Sequence, residues 1–280
     1  VYMTSTVPKG SGLSSSAAFE VLMGTMLNEL FWAGHCTPVE LAQIGQYAEN
    51  VFFGKPCGLM DQTASSVGGV VAIDFADTAH PIVERLDVDL HTCGYALCIL
   101  DSGAGHEDLT GEYSAITEEL RAVCRVFGKE VLREVPEEAF LAELPHVRKA
   151  VGDRAVNRAF HVYGENRRVR EEVQALRSGD FQRFLTLVRE SGRSSAMYLQ
   201  NIIPTGSTAA QELMVTIALC ERMLEGRGAV RVHGGGFGGT AQAFVPLDML
   251  DGFRDRVEAS LGRGCCHVVR IRSAGGIRLG

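Results

Sequence analysis

Two stretches of this sequence carry residue types suited to a phosphorylated ligand. The first is Pro8-Lys9-Gly10-Ser11-Gly12-Leu13-Ser14-Ser15-Ser16-Ala17-Ala18. Its glycines let the backbone approach an anion and adopt positive φ. The hydroxyl residues after them open a helix, whose N-terminus favours negative charge. The string is not a Walker loop, because no Gly-Lys-Ser/Thr follows the glycines. A bare Gly-x-Gly reads as a turn with an N-capping serine, whereas this longer string reads as a phosphate cradle. The second stretch is His233-Gly234-Gly235-Gly236-Phe237-Gly238-Gly239, another glycine loop. Two carboxylates lie between them. Glu49 is late in a helix, where such a group is ordinarily solvated, and Asp61 follows a Met, where it is ordinarily a surface or capping residue. Their settings, Ala48–Phe53 and Gly58-Leu59-Met60-Asp61-Gln62, are what single them out.

These groups need elements to hold them. The spacing of Leu22, Met26, Leu27 and Leu30 predicts a helix over Ser14–Trp32. A second helix is expected over Pro38–Phe52, with Thr37 as N-cap, Pro38 in the first turn and Glu40 three residues after the cap. A short helix over Leu59–Ser66 and strands at Val70–Asp74 and Ile82–Leu86 complete the first lobe. The apolar run Tyr95–Leu100 reads as a buried strand opening a second lobe. Helices are expected over Thr110–Phe127, Glu137–Leu144, Asp153–Leu176, Phe181–Ser191, Ser207–Leu224 and Leu247–Leu261. Strands are expected at Ala229–Val232, Gln242–Val245 and His267–Ile271. Strands bracketing helices give an α+β fold, with lobes at 1–92 and 93–280.

Bulk properties narrow the partners. A chain of 280 residues can bury a sizeable core. Its 46% apolar and 22% charged residues are ordinary for a globular protein. The formal net charge of −7 argues against nucleic acid or an anionic membrane as main partner. It leaves ATP open, since a nest of backbone N–H groups binds phosphate inside an acidic protein. The eight cysteines form no CxxC pair, so a zinc ribbon is not expected. The sequence shows no signal peptide or long apolar span, and a reducing, cytoplasmic location is the expectation. Val1-Tyr2-Met3 reads as the tail of a strand, so the chain is expected to begin inside a domain.

Taken together the motifs resemble one family. Pro-x-Gly-x-Gly-Leu-Ser-Ser-Ser-Ala looks like the central ATP motif of the GHMP kinases (galactokinase, homoserine kinase, mevalonate kinase and phosphomevalonate kinase), and three consecutive serines look specifically like galactokinase. Ala48–Gln62 is similar to the galactokinase segment that carries a metal-ligand Glu and the catalytic Asp. Arg158–Val169 and His233–Gly239 resemble the family's later helix and C-terminal glycine motif. The resemblance implies a two-lobed GHMP-kinase-like fold, with an incomplete N-terminal lobe of the ribosomal protein S5 domain 2 type and a ferredoxin-like C-terminal lobe. It implies ATP and Mg²⁺ as cofactors and a hexose phosphorylated at its C1 hydroxyl, galactose foremost. By the same resemblance Pro8, Gly10, Ser11, Gly12, Leu13, Ser14, Ser15, Ser16 and Ala17, with Gly234, Gly235 and Gly236, would serve the nucleotide. Ser16 and Glu49 would hold Mg²⁺, Asp61 would face the C1 hydroxyl, and Gly58 and Tyr113 would touch the sugar.

The sequence also departs from that family. The N-terminal Gly-Glu-His-x-Asp-Tyr signature, which supplies most sugar contacts and an Arg beside the catalytic Asp, is not among these 280 residues. A further N-terminal segment of the same protein is therefore the expected partner, and the chain alone is expected to be a weak or inactive kinase. His233 replaces a small hydroxyl residue, and Ser102–Ile116 keeps the Tyr but loses the basic pair after it. Both leave open another sugar, such as N-acetylgalactosamine or arabinose, or a sensor that binds without turnover. His106 reads as a structural loop residue. Arg167, Arg168 and Arg170 read as a solvated helix face rather than a phosphate patch.

Overall fold

The computed structural model describes residues 2–7, 13–54, 57–105 and 109–279. The chain divides into two units, Val1–Asp89 with Arg270–Gly280, and Leu90–Val269. The expected division at 92/93 needs one correction, because the C-terminal tail, expected in the second lobe, belongs to the first unit. Glycines make this possible. Gly69 N–H donates to Arg272 O at 2.8 Å, and a Cβ on Gly275 would stand 1.7 Å from Ser66 O. The tail thus lies against the end of a helix at a distance no side chain allows.

In the first unit α1 is Ser15–Phe31, α2 is Pro38–Tyr47 and α3 is Met60–Val67. The expected capping box opens α2: Glu40 N–H donates to Thr37 Oγ1 at 3.2 Å and Thr37 N–H to Glu40 Oε2 at 2.7 Å. Past Tyr47 the helix widens into a π turn over Ala48–Phe52. Gly68, at φ 71°, ends α3 and leads into the antiparallel hairpin β1 (Val70–Asp74) and β2 (Ile82–Leu86), with Val70 opposite Leu86. Tyr2–Val7 forms no strand, unlike the expectation for the start of the chain.

The second unit has an antiparallel sheet of β3 (Tyr95–Asp101), β4 (Ala229–Val232), β5 (Thr240–Pro246) and β6 (Cys266–Val269), in the order β4-β5-β3-β6. Helical connections join β3 to β4 and β5 to β6, which is the expected ferredoxin-like arrangement. Between β3 and β4 run α4 (Thr110–Val126), α5 (Glu137–Ala142), α6 (Leu144–Val151), α7 (Asp153–Arg177), α8 (Phe181–Ser194) and α9 (Glu212–Leu224), and α10 (Leu250–Leu261) precedes β6. Small residues on the central strands, Cys98, Ala241 and Ala243, let Leu213, Leu224, Phe253 and Val257 close over the sheet. Each such fully buried Leu or Phe is worth about 1.5–3 kcal/mol.

Two helices differ from expectation. The expected Glu137–Leu144 helix is α5, which stops at Ala142, and α6 after it was not expected; Pro145 sits in the first turn of α6, where a missing N–H costs nothing. α9 begins five residues later than the expected Ser207 (212 − 207). Ser207 Oγ donates to Ala210 O at 2.6 Å, a local bond that competes with helix. Among the described residues no helix is long and apolar enough to cross a membrane.

Candidate functional site

Pro8, Gly10, Ser11 and Gly12, expected to cradle phosphate, lie outside the described residues, as does His106. The structure picks the motif up at Leu13. Ser14 has φ 52° and ψ 50°, a left-handed conformation that costs a non-glycine residue about 1 kcal/mol or more. Its side chain does not cap α1. Its Oγ donates instead to Asp61 Oδ2 at 2.6 Å. A strained serine at the mouth of α1 thereby fixes the carboxylate in the first turn of α3. Ser15 and Ser16 are exposed in the first turn of α1, Ala17 is buried behind them, and no acidic side chain occupies that turn.

Glu49 lies in the π turn, a local widening that recurs at functional sites, and is 4% exposed. Buried Gln62 holds it: the amide Nε2 donates to Glu49 Oε2 at 3.2 Å and to Glu20 Oε2 at 3.1 Å. Two carboxylates thus converge on one amide, next in sequence to Asp61. Ser16 stands four residues before Glu20, on the same face of α1. Glu20 was missed in the sequence, although its i,i+4 spacing from Ser16 was legible there.

Cys57 approaches this cluster at 3.5 Å from Gln62 Nε2. Burial pushes its thiol pKa up, and the charges of Glu49 and Glu20 add to that. Its backbone is clamped on both sides. Cys57 N–H donates to Asn50 Oδ1 at 2.7 Å, and Gln46 Nε2 donates to Cys57 O at 3.1 Å. This fixes the run into exposed Gly58 and α3. Among the described residues no group of three or more His, Cys, Asp or Glu is placed to hold a metal. Ser16, Glu20 and Glu49 supply hard oxygen donors on two neighbouring helices, a set that suits a divalent cation sharing its shell with phosphate oxygens.

In the second unit His233–Gly239 is the turn joining β4 to β5. Val232 pairs with Ala241, and His233 N–H donates to Thr240 O at 2.9 Å. Gly234, Gly236 and Gly239 have φ of 70°, 85° and 74°, and Phe237 shares that left-handed region at 60°. Tyr113 Oη donates to Gly236 O at 2.9 Å, and its ring meets Phe237 edge-on at 5.6 Å. Expected to touch the sugar, Tyr113 thus binds the glycine turn of its own unit. Arg168 also differs from expectation. It is mostly buried, paired at 2.6 Å with Glu165, while Arg167 pairs with Glu137 on the surface. Burial pushes the Glu165 carboxyl up, but the Ser191 hydroxyl, Arg231 and Arg168 outweigh it and hold it below its usual range.

Comparison with known proteins follows the same residues. The family model described as GHMP kinases N terminal domain matches residues 1–69. A galactokinase of Glaesserella parasuis serovar 5 (strain SH0165) is 34% identical over 91% of this chain and 63% of its own length. One from Enterococcus faecalis (strain ATCC 700802 / V583) is 33% identical over the same shares. The chain therefore spans less than two thirds of these curated relatives. Among solved structures, Lactococcus lactis galactokinase complexed with galactose aligns over 98% of this chain and 69% of its own, with TM-score 0.75 and 27% identity. L. major mevalonate kinase in complex with R-mevalonate aligns over 95% of this chain and 67% of its own at TM-score 0.58 and 16% identity, a likeness of fold.

Proposed function

Because this chain belongs to the GHMP kinases and matches galactokinases over 91% of its length, we propose that its parent protein phosphorylates a hexose at C1, galactose foremost, using ATP. The observation that carries the reading is the 2.6 Å bond from Ser14 to Asp61, which ties the serine-rich helix start to the carboxylate of the Gly58–Gln62 run. With Oδ2 occupied by Ser14, Oδ1 of Asp61 is left to accept the proton of the C1 hydroxyl. The C1 oxygen of the sugar then bonds to the γ-phosphorus, the bond from the γ-phosphorus to the bridging oxygen breaks, and ADP leaves. Ser16 and Glu49 would hold Mg²⁺, with Gln62 orienting Glu49 through its amide. Bound there, the ion neutralises charge on the terminal phosphates. Gly58, exposed and without a side chain, lets the sugar come close.

A further segment of the same protein is the proposed partner of the first unit. Leu30, Phe31, Trp32, Ile44 and Phe52, on α1, α2 and the turns after them, are 71%, 78%, 64%, 53% and 77% exposed, an apolar surface that calls for cover. The relatives have more than a third of their length beyond the match. All eight cysteines are free thiols, in keeping with a reducing, cytoplasmic setting. His233, bonded through Nδ1 to Thr240 Oγ1 at 3.0 Å, stands where the family has a small hydroxyl residue and favours, as a second reading, a related sugar such as N-acetylgalactosamine or arabinose.

The test is a sugar-panel assay with ATP and Mg²⁺ on the complete gene product. Galactose is expected to show the highest kcat/KM. The 280-residue chain alone is expected to be slower by about 100-fold or more, since it would lack groups that orient the sugar. Binding of ATP and sugar with no turnover of any sugar would instead make the protein a sensor.

A further inference from the structure

In the first unit α1, α2 and α3 meet at a polar seam that one glycine keeps open. Gly45 is buried in the middle of α2. Its backbone is helical, and in a helix glycine is less stable than alanine, so conformation does not call for it. Space does. A Cβ there would stand 3.3 Å from Glu20 Cβ, 3.4 Å from Glu20 Oε2 and 3.5 Å from Gln62 Cγ. Side chains of α1 and α3 thus enter a gap that α2 leaves for them. The π turn that follows α2 brings Glu49 to the same seam.

Gln62 fills this seam and is 1% exposed. Its amide nitrogen donates at 3.1 Å to Glu20 Oε2 and at 3.2 Å to Glu49 Oε2, with Cys57 Sγ farther off at 3.5 Å. Its Oε1 is buried with no partner among the described residues, so this orientation is held against the cost of a desolvated carbonyl. Turned the other way, the amide would set its carbonyl against two carboxylates. Glu20 and Glu49 therefore choose the orientation together. Without Glu20, one carboxylate alone would restrain the amide, and the buried Oε1 would draw it toward other donors.

We propose that Glu20 is a positioning residue for the divalent cation, acting through Gln62 on the Glu49 carboxylate. The inference rests on the kinase reading above, in which Glu49 is a ligand of the ion. Glu20 fixes the Gln62 amide, and the amide fixes Glu49, so that the carboxylate presents one orientation to the ion. Partners of this kind, one bond behind a metal ligand, hold its geometry and raise metal affinity. Gly45 serves the same end by leaving room for both side chains.

The experiment uses the complete gene product and its affinity for Mn²⁺, read by electron paramagnetic resonance with a non-hydrolysable ATP analogue bound. Glu20→Ala is expected to weaken Mn²⁺ binding by about tenfold and to leave the affinity for metal-free analogue unchanged within about twofold. Glu20→Gln keeps an acceptor oxygen at the same reach and is expected to stay within about threefold of wild type. Gln62→Met removes the amide at similar volume, and in that background Glu20→Ala is expected to have no further effect on Mn²⁺. Equal losses for Glu20→Ala and Glu20→Gln, or full additivity of Glu20→Ala with Gln62→Met, would mean that Glu20 acts by its charge alone and would overturn the proposal. Unchanged Mn²⁺ affinity in Glu20→Ala overturns it as well, as does a parallel loss of metal-free analogue binding with a lower Tm. A wild-type protein that binds no analogue, with or without Mn²⁺, overturns the kinase reading and this inference together.

Discussion

The two units divide the protein's work unevenly. The second unit is built for packing: two buried clusters lie between its four-stranded sheet and its helices, and a third lies among α4–α7. Among the described residues the first unit has a two-stranded sheet, and large apolar side chains of α1 and α2 face water. Its buried interior is mixed, with Glu49, Gln62, Thr63 and Ser66 all under 5% exposed beside the apolar Ala17, Val21 and Ala42. The contrast teaches that the first unit spends its interior on orienting carboxylates. The second can afford closely tied loops because apolar burial already stabilises it.

The sharpest way to break this contrast is Asp61→Asn in the complete gene product. Asp61 is exposed, so little packing depends on it. Phosphorylation is expected to fall by about 10²–10⁴-fold, the usual worth of a positioned general base, with Tm and ATP binding nearly unchanged. Retained turnover would remove Asp61 from the chemistry.

Packing in the first unit should be most sensitive where its tail is seated. Gly275→Ala places a Cβ 1.7 Å from Ser66 O. It is expected to cost about 2 kcal/mol or more, in the range of overpacked interior sites, read as a lower denaturant midpoint. Gly252→Ala in α10 of the second unit meets nothing within 4 Å, and should stabilise by about 0.5–1 kcal/mol through helix propensity alone. Equal effects at the two positions would mean that the tail is not part of the first unit's packing.

The smallest effect is in pH dependence. Burial and the neighbouring Glu165 push the Glu172 carboxyl up to about 7, against the pull of Arg231 and Arg168. Its folded pKa lies above its unfolded one, so its neutral form favours the fold. That stability is fully present below the unfolded pKa of 4.5 and is lost as pH rises through about 7. His161 works the other way, since burial lowers its pKa from 6.5 and costs stability as pH falls. Glu172→Gln should therefore raise Tm more at pH 8 than at pH 5, relative to wild type. A uniform shift would place the Glu172 carboxylate in water.

Much of the fold was legible because local chemistry and tertiary outcome agree. The Thr37–Glu40 capping box, the β1 and β2 spans and the run of β3 each follow from residues that are neighbours in sequence. What was not legible depends on contacts between distant residues. The separate helix α6 and the late start of α9 turn on Pro145 and on one serine's choice of partner. The C-terminal tail's place in the first unit depends on Gly275 meeting Ser66, a contact no local pattern announces.

The candidate site divides along the same line. Residue types and motif order alone determined which groups could do chemistry: the serine-rich helix start, Glu49, Asp61 and the His233–Gly239 turn. Tertiary structure decided how they are held. It gave Asp61 its bond to Ser14, added Glu20 through Gln62, and assigned the Tyr113 hydroxyl to Gly236. The physical reason is range. Backbone freedom and helix-end charge are properties of a few consecutive residues, whereas the direction of a side chain's hydrogen bond is set by whichever partner folding brings to it.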